Sequence, residues 1–471
     1  MGLLSVTSYS LVECIVGAGA FIWYAYHWMS GYWFSAIEGV HQKYGTVVRI
    51  APNELSFCST QSLKDIYSHP LSSEWAFLKS SFYDRPFGVA SVATTRDPHD
   101  HRQQRQSLAS GFSTKALREQ EDIVHYYVDL FIQQIGNLSK TQSYGVDICE
   151  ALNWVTFDII GDLTFGESFD AVKTAKTHHW VSTIVDSQFW GSIIPLSRRV
   201  VVVYLLLPFL AFSNLARNFK IHQGLTRAKL ANRIAKADKI TRADFLQQVI
   251  QSRKFSIEAL EGQAGTLIVA GSETTATTSV AALYFLAKNP VCLAALQHEV
   301  RTTFTSADAI TGHSTATLPH LNAVIEESLR LFPPVAIGLP RISPGANVDG
   351  HFIPAGVIVS TDNWTLMHDP KYWHDPHAFR PERWIGEGFG DTKGASQPFS
   401  LGVRACLGIN LAYLEMRVVL AKIIWHYDLQ LIDGDRDLLR ESTLFGFWKK
   451  PPIHMKFNGR ENSALGVPDV L

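Results

Sequence analysis

Cysteine is scarce: the 471 residues hold five, Cys14, Cys58, Cys149, Cys292 and Cys406. They are widely spaced and odd in number, with no Cys-x-x-Cys pair. That pattern speaks against a zinc ribbon and a dense disulfide framework, and it fits a reducing compartment. Charge of one sign is also missing. The formal net charge is -1, so no basic stripe offsets phosphate, which argues against nucleic acid as a main partner. No Gly/Ser/Pro-rich linker or charge block divides the chain, so it reads as one large domain. No flavin or nicotinamide fingerprint is present. No Lys or Arg occurs before Lys43, and no proline before Pro52.

Between Cys14 and Ile37 there is no charged residue at all. About 20 apolar residues suffice to span a bilayer as a helix. The cluster Trp28, Tyr32, Trp33 and Phe34 resembles an interfacial aromatic belt. The first basic residues, Lys43 and Arg49, would keep the main body cytoplasmic. No basic segment precedes the run, so a cleaved signal peptide fits less well. The expected division is residues 1–37 as an N-terminal membrane-anchor helix and 38–471 as the main domain.

Most of that domain carries helical patterning with short polar breaks. Two hairpins are expected. Gly45 to Ser59 alternates around Pro52-Asn53-Glu54, and Val348 to Asp362 turns at Pro354-Ala355-Gly356. One helix stands apart. Ser256 is a suitable N-cap, Glu258 sits in the first turn, and Asn289-Pro290 ends the run. Its interior is apolar on nearly every face, as a core helix requires. Ala270-Gly271-Ser272-Glu273-Thr274-Thr275 interrupts that pattern. A carboxylate in a core helix is costly unless it is paired or used.

The chemistry concentrates near Phe399-Ser-Leu-Gly-Val-Arg-Ala-Cys-Leu-Gly408. Gly402 and Gly408 permit a tight turn, and an amphipathic run follows it. Cys406 therefore stands at a helix N-terminus, where the dipole stabilises a thiolate, with Arg404 adding positive charge. A lone cysteine is usually structural; the Gly-x-Arg-x-Cys-x-Gly frame outweighs that reading here. Upstream, Glu327 and Arg330 lie three apart on one helix face. Phe379-Arg-Pro-Glu-Arg-Trp384 supplies a further guanidinium, Arg383, that could complete a buried triad. His374-x-x-His377 has a metal-like spacing but reads as a surface loop.

These segments, in this order, resemble the cytochrome P-450 family from about Glu38 to the end. The resemblance implies a mainly α fold with a small β-rich subdomain and haem b between two central helices. It implies that Cys406 is the axial thiolate, favouring O–O cleavage. It implies that Phe399 packs near the haem on the thiolate side, that Gly402 also belongs to the cofactor-binding set, and that Glu327, Arg330 and Arg383 are structural. Glu273 and Thr274 match the family's proton-delivering acid–alcohol pair. The competing role for Thr274 is a hydroxyl bonded back to its own helix. His101, Arg105, Arg341 and Arg404 match positions that hold the haem propionates, whereas Arg102 reads as solvated.

The same resemblance implies a monooxygenase using O2 and NADPH through a separate flavoprotein reductase. The expected location is the endoplasmic reticulum membrane, single-pass, with the catalytic domain cytosolic. The proline-rich hinge usual in anchored members is absent. Pocket walls are expected from the Ser80 to Ala93 loop, Ala270, Val335 to Leu339 and Leu444-Phe445. They are mostly apolar, which suits a lipophilic substrate. The chain looks most like fungal secondary-metabolism members acting on terpenoids or polyketides by hydroxylation or epoxidation. Two other classes share the haem thiolate: an isomerase, dehydratase or peroxide-driven enzyme, and a non-enzymatic haem protein. The Glu273-Thr274 pair argues against the first, and product formation would exclude the second.

Overall fold

The computed structural model describes residues 11–68, 76–84, 89–199, 203, 214–236, 244–252 and 255–460. Helices dominate, with small sheets to one side. The helix Ile257–Lys288 runs through the centre. The Ser256 side chain accepts a hydrogen bond from the Ala259 N–H at 3.2 Å, Glu258 faces the positive end of the dipole, and Asn289 ends the helix before Pro290. It packs along a second core helix, Ile148–Phe165, which is buried on every side. Gly271 permits the close approach: a Cβ there would stand 2.6 Å from Ile160 Cδ1.

The main sheet has five strands, in the spatial order Val47–Ala51, Glu54–Phe57, Ile358–Thr361, Arg341–Ile342 and Leu78–Lys79. The first expected hairpin is present, with Val47–Ala51 antiparallel to Glu54–Phe57. The second hairpin pairs other strands. Ala346–Val348 pairs with His351–Ile353 through a turn at Asp349-Gly350, and the turn at Pro354-Ala355-Gly356 leads instead into Ile358–Thr361 of the main sheet. Asp349 and Gly350 both have positive φ, 51° and 80°, the geometry that an Asp-Gly hairpin turn prefers. Ile358–Thr361 lies parallel to Glu54–Phe57 and antiparallel to Arg341–Ile342.

The N-terminal segment packs into the main body on both sides of residue 37. No single helix among the described residues is long and apolar enough to cross a membrane. The helix Leu11–Ser30 is followed after Gly31 and Tyr32 by the helix Trp33–Tyr44. Tyr24, Trp28, Trp33, Phe34 and Ile37 are buried in the main hydrophobic core. Trp28 Nε1 donates to the Ser192 carbonyl at 2.9 Å, and Phe34 packs edge-on against Trp364 and Trp448. Uncharged aromatic composition is the same whether the neighbour is lipid or protein; for Tyr24, Trp28, Trp33 and Phe34 it is protein, while Tyr26 and Tyr32 are exposed. Gly31, at φ 79°, makes the turn between the two helices.

The expected triad is assembled and wholly buried. Arg330 Nε and Nη2 donate to the two Glu327 oxygens at 2.9 and 2.8 Å, and Arg383 Nε donates to Oε1 at 3.0 Å. The Arg380 N–H and Trp384 Nε1 complete the set at 3.0 and 2.9 Å, and Asp391 neutralises the second guanidinium at 2.5 Å. Replacing Glu327 by Gln leaves Arg330 facing no counter-charge in the core. The expected cost is about 3–5 kcal/mol, read as a lower urea midpoint in tryptophan-monitored unfolding.

Candidate active site

Cys406 lies in a loop built by strained backbone. Ser400 has φ 59° and Gly402 has φ 69°. A Cβ on Gly402 would stand 2.3 Å from the Tyr67 carbonyl oxygen, so only glycine fits. The Cys406 N–H donates to the Phe399 carbonyl at 2.8 Å, closing the loop two residues before Gly408 caps the helix Ile409–His426. Cys406 remains exposed at the mouth of this loop. Surrounding protein pushes its thiol pKa up, while the Gly408 N–H and the Arg105 charge pull it down. Phe399, half-buried, packs against Tyr413 with ring centroids 5.2 Å apart.

Arg105, not Arg404, is thus the cation that pulls the Cys406 thiol pKa down, against the larger upward push of burial. Its Nη1 also donates to the Ala405 carbonyl at 2.7 Å. Arg404 turns away, donating to the Thr95 and Arg96 carbonyls at 2.8 and 2.9 Å. The 3₁₀ turn Gly402–Arg404 separates the two neighbours in direction.

His101, Arg105, Arg341 and Arg404 lie close enough for the three arginine charges to act on the histidine. Burial drives the His101 pKa down to about 3, and the charges of Arg404, Lys79, Arg105 and Arg341 add to the effect. Arg404 itself falls to about 10, through burial and the neighbouring Arg341. Arg341 is buried and donates to the Tyr83 hydroxyl at 2.9 Å and to the Leu339 and Pro340 carbonyls. Arg102 is exposed. Lys79 was not foreseen. It lies on a two-residue strand opposite Arg341, and nothing local in the sequence marks it.

On the core helix, one stripe is not covered by protein. Ala270 is exposed and Thr266, Val269 and Thr274 are half-buried, although Ile268, Ser272 and Glu273 beside them are buried. Thr274 Oγ1 donates to its own helix, to the Ala270 carbonyl at 2.6 Å. Glu273 faces another way: Oε1 accepts from Lys450 and from Thr277 Oγ1 at 3.2 Å. The described part of the Ser80 to Ala93 loop meets this helix through Ser91 Oγ, which accepts from Thr266 at 2.7 Å; residues 85–88 lie outside the described set. Ile337 and Leu444 are buried, and Val335, Leu339 and Phe445 half-buried. His374 and His377 are exposed, as expected for a loop.

A thiol at a helix start, a stripe of small residues on a core helix and a cluster of buried cations together define a haem-thiolate site. The cations carry the test of fit. Arg105, Arg341 and Arg404 have no ion-pair partner among the described residues, and Arg404 Nε is buried with no hydrogen-bond partner among them. Buried unpaired charge demands a counter-ion, and the two haem propionates would supply one.

The chain belongs to the cytochrome P-450 family, whose model matches residues 17–457. It is 40% identical to cytochrome P-450 monooxygenase BOA3 of Botryotinia fuckeliana, across 94% of this chain and 90% of that protein. It is 39% identical to poxC, a cytochrome P-450 monooxygenase of Penicillium oxalicum (93% and 86%). It is also 39% identical to the trichothecene C-15 hydroxylase of Fusarium sporotrichioides (88% and 86%). It is a monooxygenase of the fungal branch represented by these relatives.

Replacing Arg404 by Leu removes a charge-assisted contact to the haem worth about 1.5–3 kcal/mol. Transfer of haem from the variant to an acceptor protein is expected to run about tenfold faster than from the wild type, followed by the Soret band.

Proposed function

We propose that this protein is an NADPH-dependent monooxygenase that hydroxylates or epoxidises a lipophilic small molecule, a terpenoid or polyketide, in fungal secondary-metabolite synthesis. A separate flavoprotein reductase supplies electrons, in keeping with a chain that carries no flavin or nicotinamide fingerprint. The observation that carries the reading is the exposed Cys406, whose backbone N–H donates to the Phe399 carbonyl and whose thiol meets the Gly408 N–H and the Arg105 charge. When bound, haem supplies dioxygen activation, with one oxygen atom inserted into the substrate and the other released as water.

The protein's own residues do the rest. Arg105, Arg341, Arg404 and His101 would hold the propionates. The uncovered stripe Thr266, Val269, Ala270 and Thr274 would face the bound molecules. Ile337, Leu444 and Phe445 offer apolar walls, with no charge to interact with a polar substrate. The relative named as a C-15 hydroxylase supports hydroxylation as the insertion type. Thr274 would release its bond to Ala270 to donate a proton, and Glu273 would replenish it. We further propose that the N-terminal end of the chain places the enzyme on the endoplasmic reticulum membrane, with exposed Ile22 and Tyr26 outside the protein core.

The decisive measurement is the absorbance of the reduced, carbon-monoxide-bound protein. A strongly red-shifted Soret band is expected in the wild type and its loss in Cys406→Ser; an unchanged band in the variant would overturn thiolate ligation. Thr274→Ala is expected to keep that band and release more peroxide per NADPH consumed, by roughly tenfold.

A further inference from the structure

The Glu273 side chain has a partner that the proton-relay reading does not require. Lys450 Nζ pairs with Glu273 Oε1, and both side chains are about 5% exposed or less (4% and 5%). Thr277, one turn along the core helix, ties the pair together. It accepts from Lys450 Nζ at 2.8 Å and donates to Glu273 Oε1 at 3.2 Å. Glu273 Oε2 is buried with no partner among the described residues. The position of Lys450 is fixed from outside the pair. Cys149 Sγ donates to the Pro451 carbonyl at 3.3 Å, the Ile148 N–H donates to Ile453, and Trp448 Nε1 donates to Pro333 at 2.8 Å.

A lone carboxyl at this depth takes up a proton and keeps it, because burial disfavours the charged form. An acid that keeps its proton cannot serve a relay that must give and regain one each turnover. An adjacent ammonium ion reverses that preference. One carboxylate oxygen here is committed to Lys450 and Thr277, and the other is uncommitted, one residue from Thr274.

We propose that Lys450 is the positioning residue for Glu273: together with Thr277 it fixes Oε1 within the core and leaves Oε2 as the oxygen free to exchange protons. This inference rests on the reading of Glu273 as the relay acid.

The test uses the full-length enzyme with its reductase, in the variants Glu273→Gln, Lys450→Met, Lys450→Arg and the double Glu273→Gln/Lys450→Met. Product formed per NADPH consumed is expected to fall about tenfold in Lys450→Met, as for a residue acting through another, and to recover in Lys450→Arg. Infrared difference spectra supply a readout independent of turnover. A protonated buried carboxyl band additional to that of the fully buried Glu415 is expected in Lys450→Met and absent from the wild type and the double variant. The double variant, with both charges removed, is expected to couple no worse than Glu273→Gln alone, which keeps the question open to measurement even if Lys450→Met does not fold. Normal coupling in Lys450→Met beside poor coupling in Glu273→Gln would overturn the role of Lys450. A further loss in the double variant beyond Glu273→Gln would overturn it too. Normal coupling in Glu273→Gln would instead overturn the relay reading on which it rests.

Discussion

One carboxylate organises the proximal half of this molecule. Glu327 accepts from Arg330, Arg383, the Arg380 N–H and Trp384, so two oxygens satisfy five donors. The guanidiniums then reach outward: Arg330 to the Met367 and Pro376 carbonyls, Arg383 to Asp391 and the His374 carbonyl. Residues 367–391 contain little regular structure, so they lack the ladder hydrogen bonds that hold strands and helices. The buried ion cluster takes the place of those bonds. It fixes an irregular segment that leads directly into the cysteine loop, and an error there would be passed on to the position of Cys406.

The cluster around His101 obeys the opposite rule. There the charges have the same sign, and protein carbonyls solvate them without neutralising them. Such an arrangement is unfavourable in the polypeptide alone and becomes favourable with a dianionic occupant. The two ionic centres therefore differ in kind. The first is complete within the chain and stabilises it; the second would be completed by the haem propionates.

What could be read in the sequence was what is local. The Ser256 cap, the Asn289-Pro290 stop, the first hairpin and the cysteine loop each depend on residues a few positions apart. Errors arose where direction or distance decided. Arg404 and Cys406 are two residues apart, yet a single 3₁₀ turn sends the guanidinium to the Thr95 and Arg96 carbonyls. Asp349-Gly350 was a better hairpin signal than Pro354-Ala355-Gly356, because two consecutive positive-φ residues match the twist of paired strands. Lys79 and Lys450 left no signal, since each acquires its role from residues far along the chain. The aromatic N-terminal run was visible, but composition does not distinguish a lipid neighbour from a protein one.

That run has a consequence for how the protein can be handled. Gly31 packs so tightly that a Cβ would stand 2.7 Å from Thr443 and 2.8 Å from Phe445, and its carbonyl accepts from the Leu444 N–H at 2.8 Å. Arg199, bonded to both oxygens of Glu54, is sandwiched by the rings of Tyr24, Trp28 and Phe82. The segment from Tyr24 to Ile37 thus packs against the Leu444-Phe445 hairpin as much as it leads into the domain. A shortened form for soluble expression has its natural cut ahead of Tyr24. A cut at residue 37 would uncover Trp364, Trp448 and the Leu444-Phe445 hairpin, and would exchange one apolar surface for a larger one.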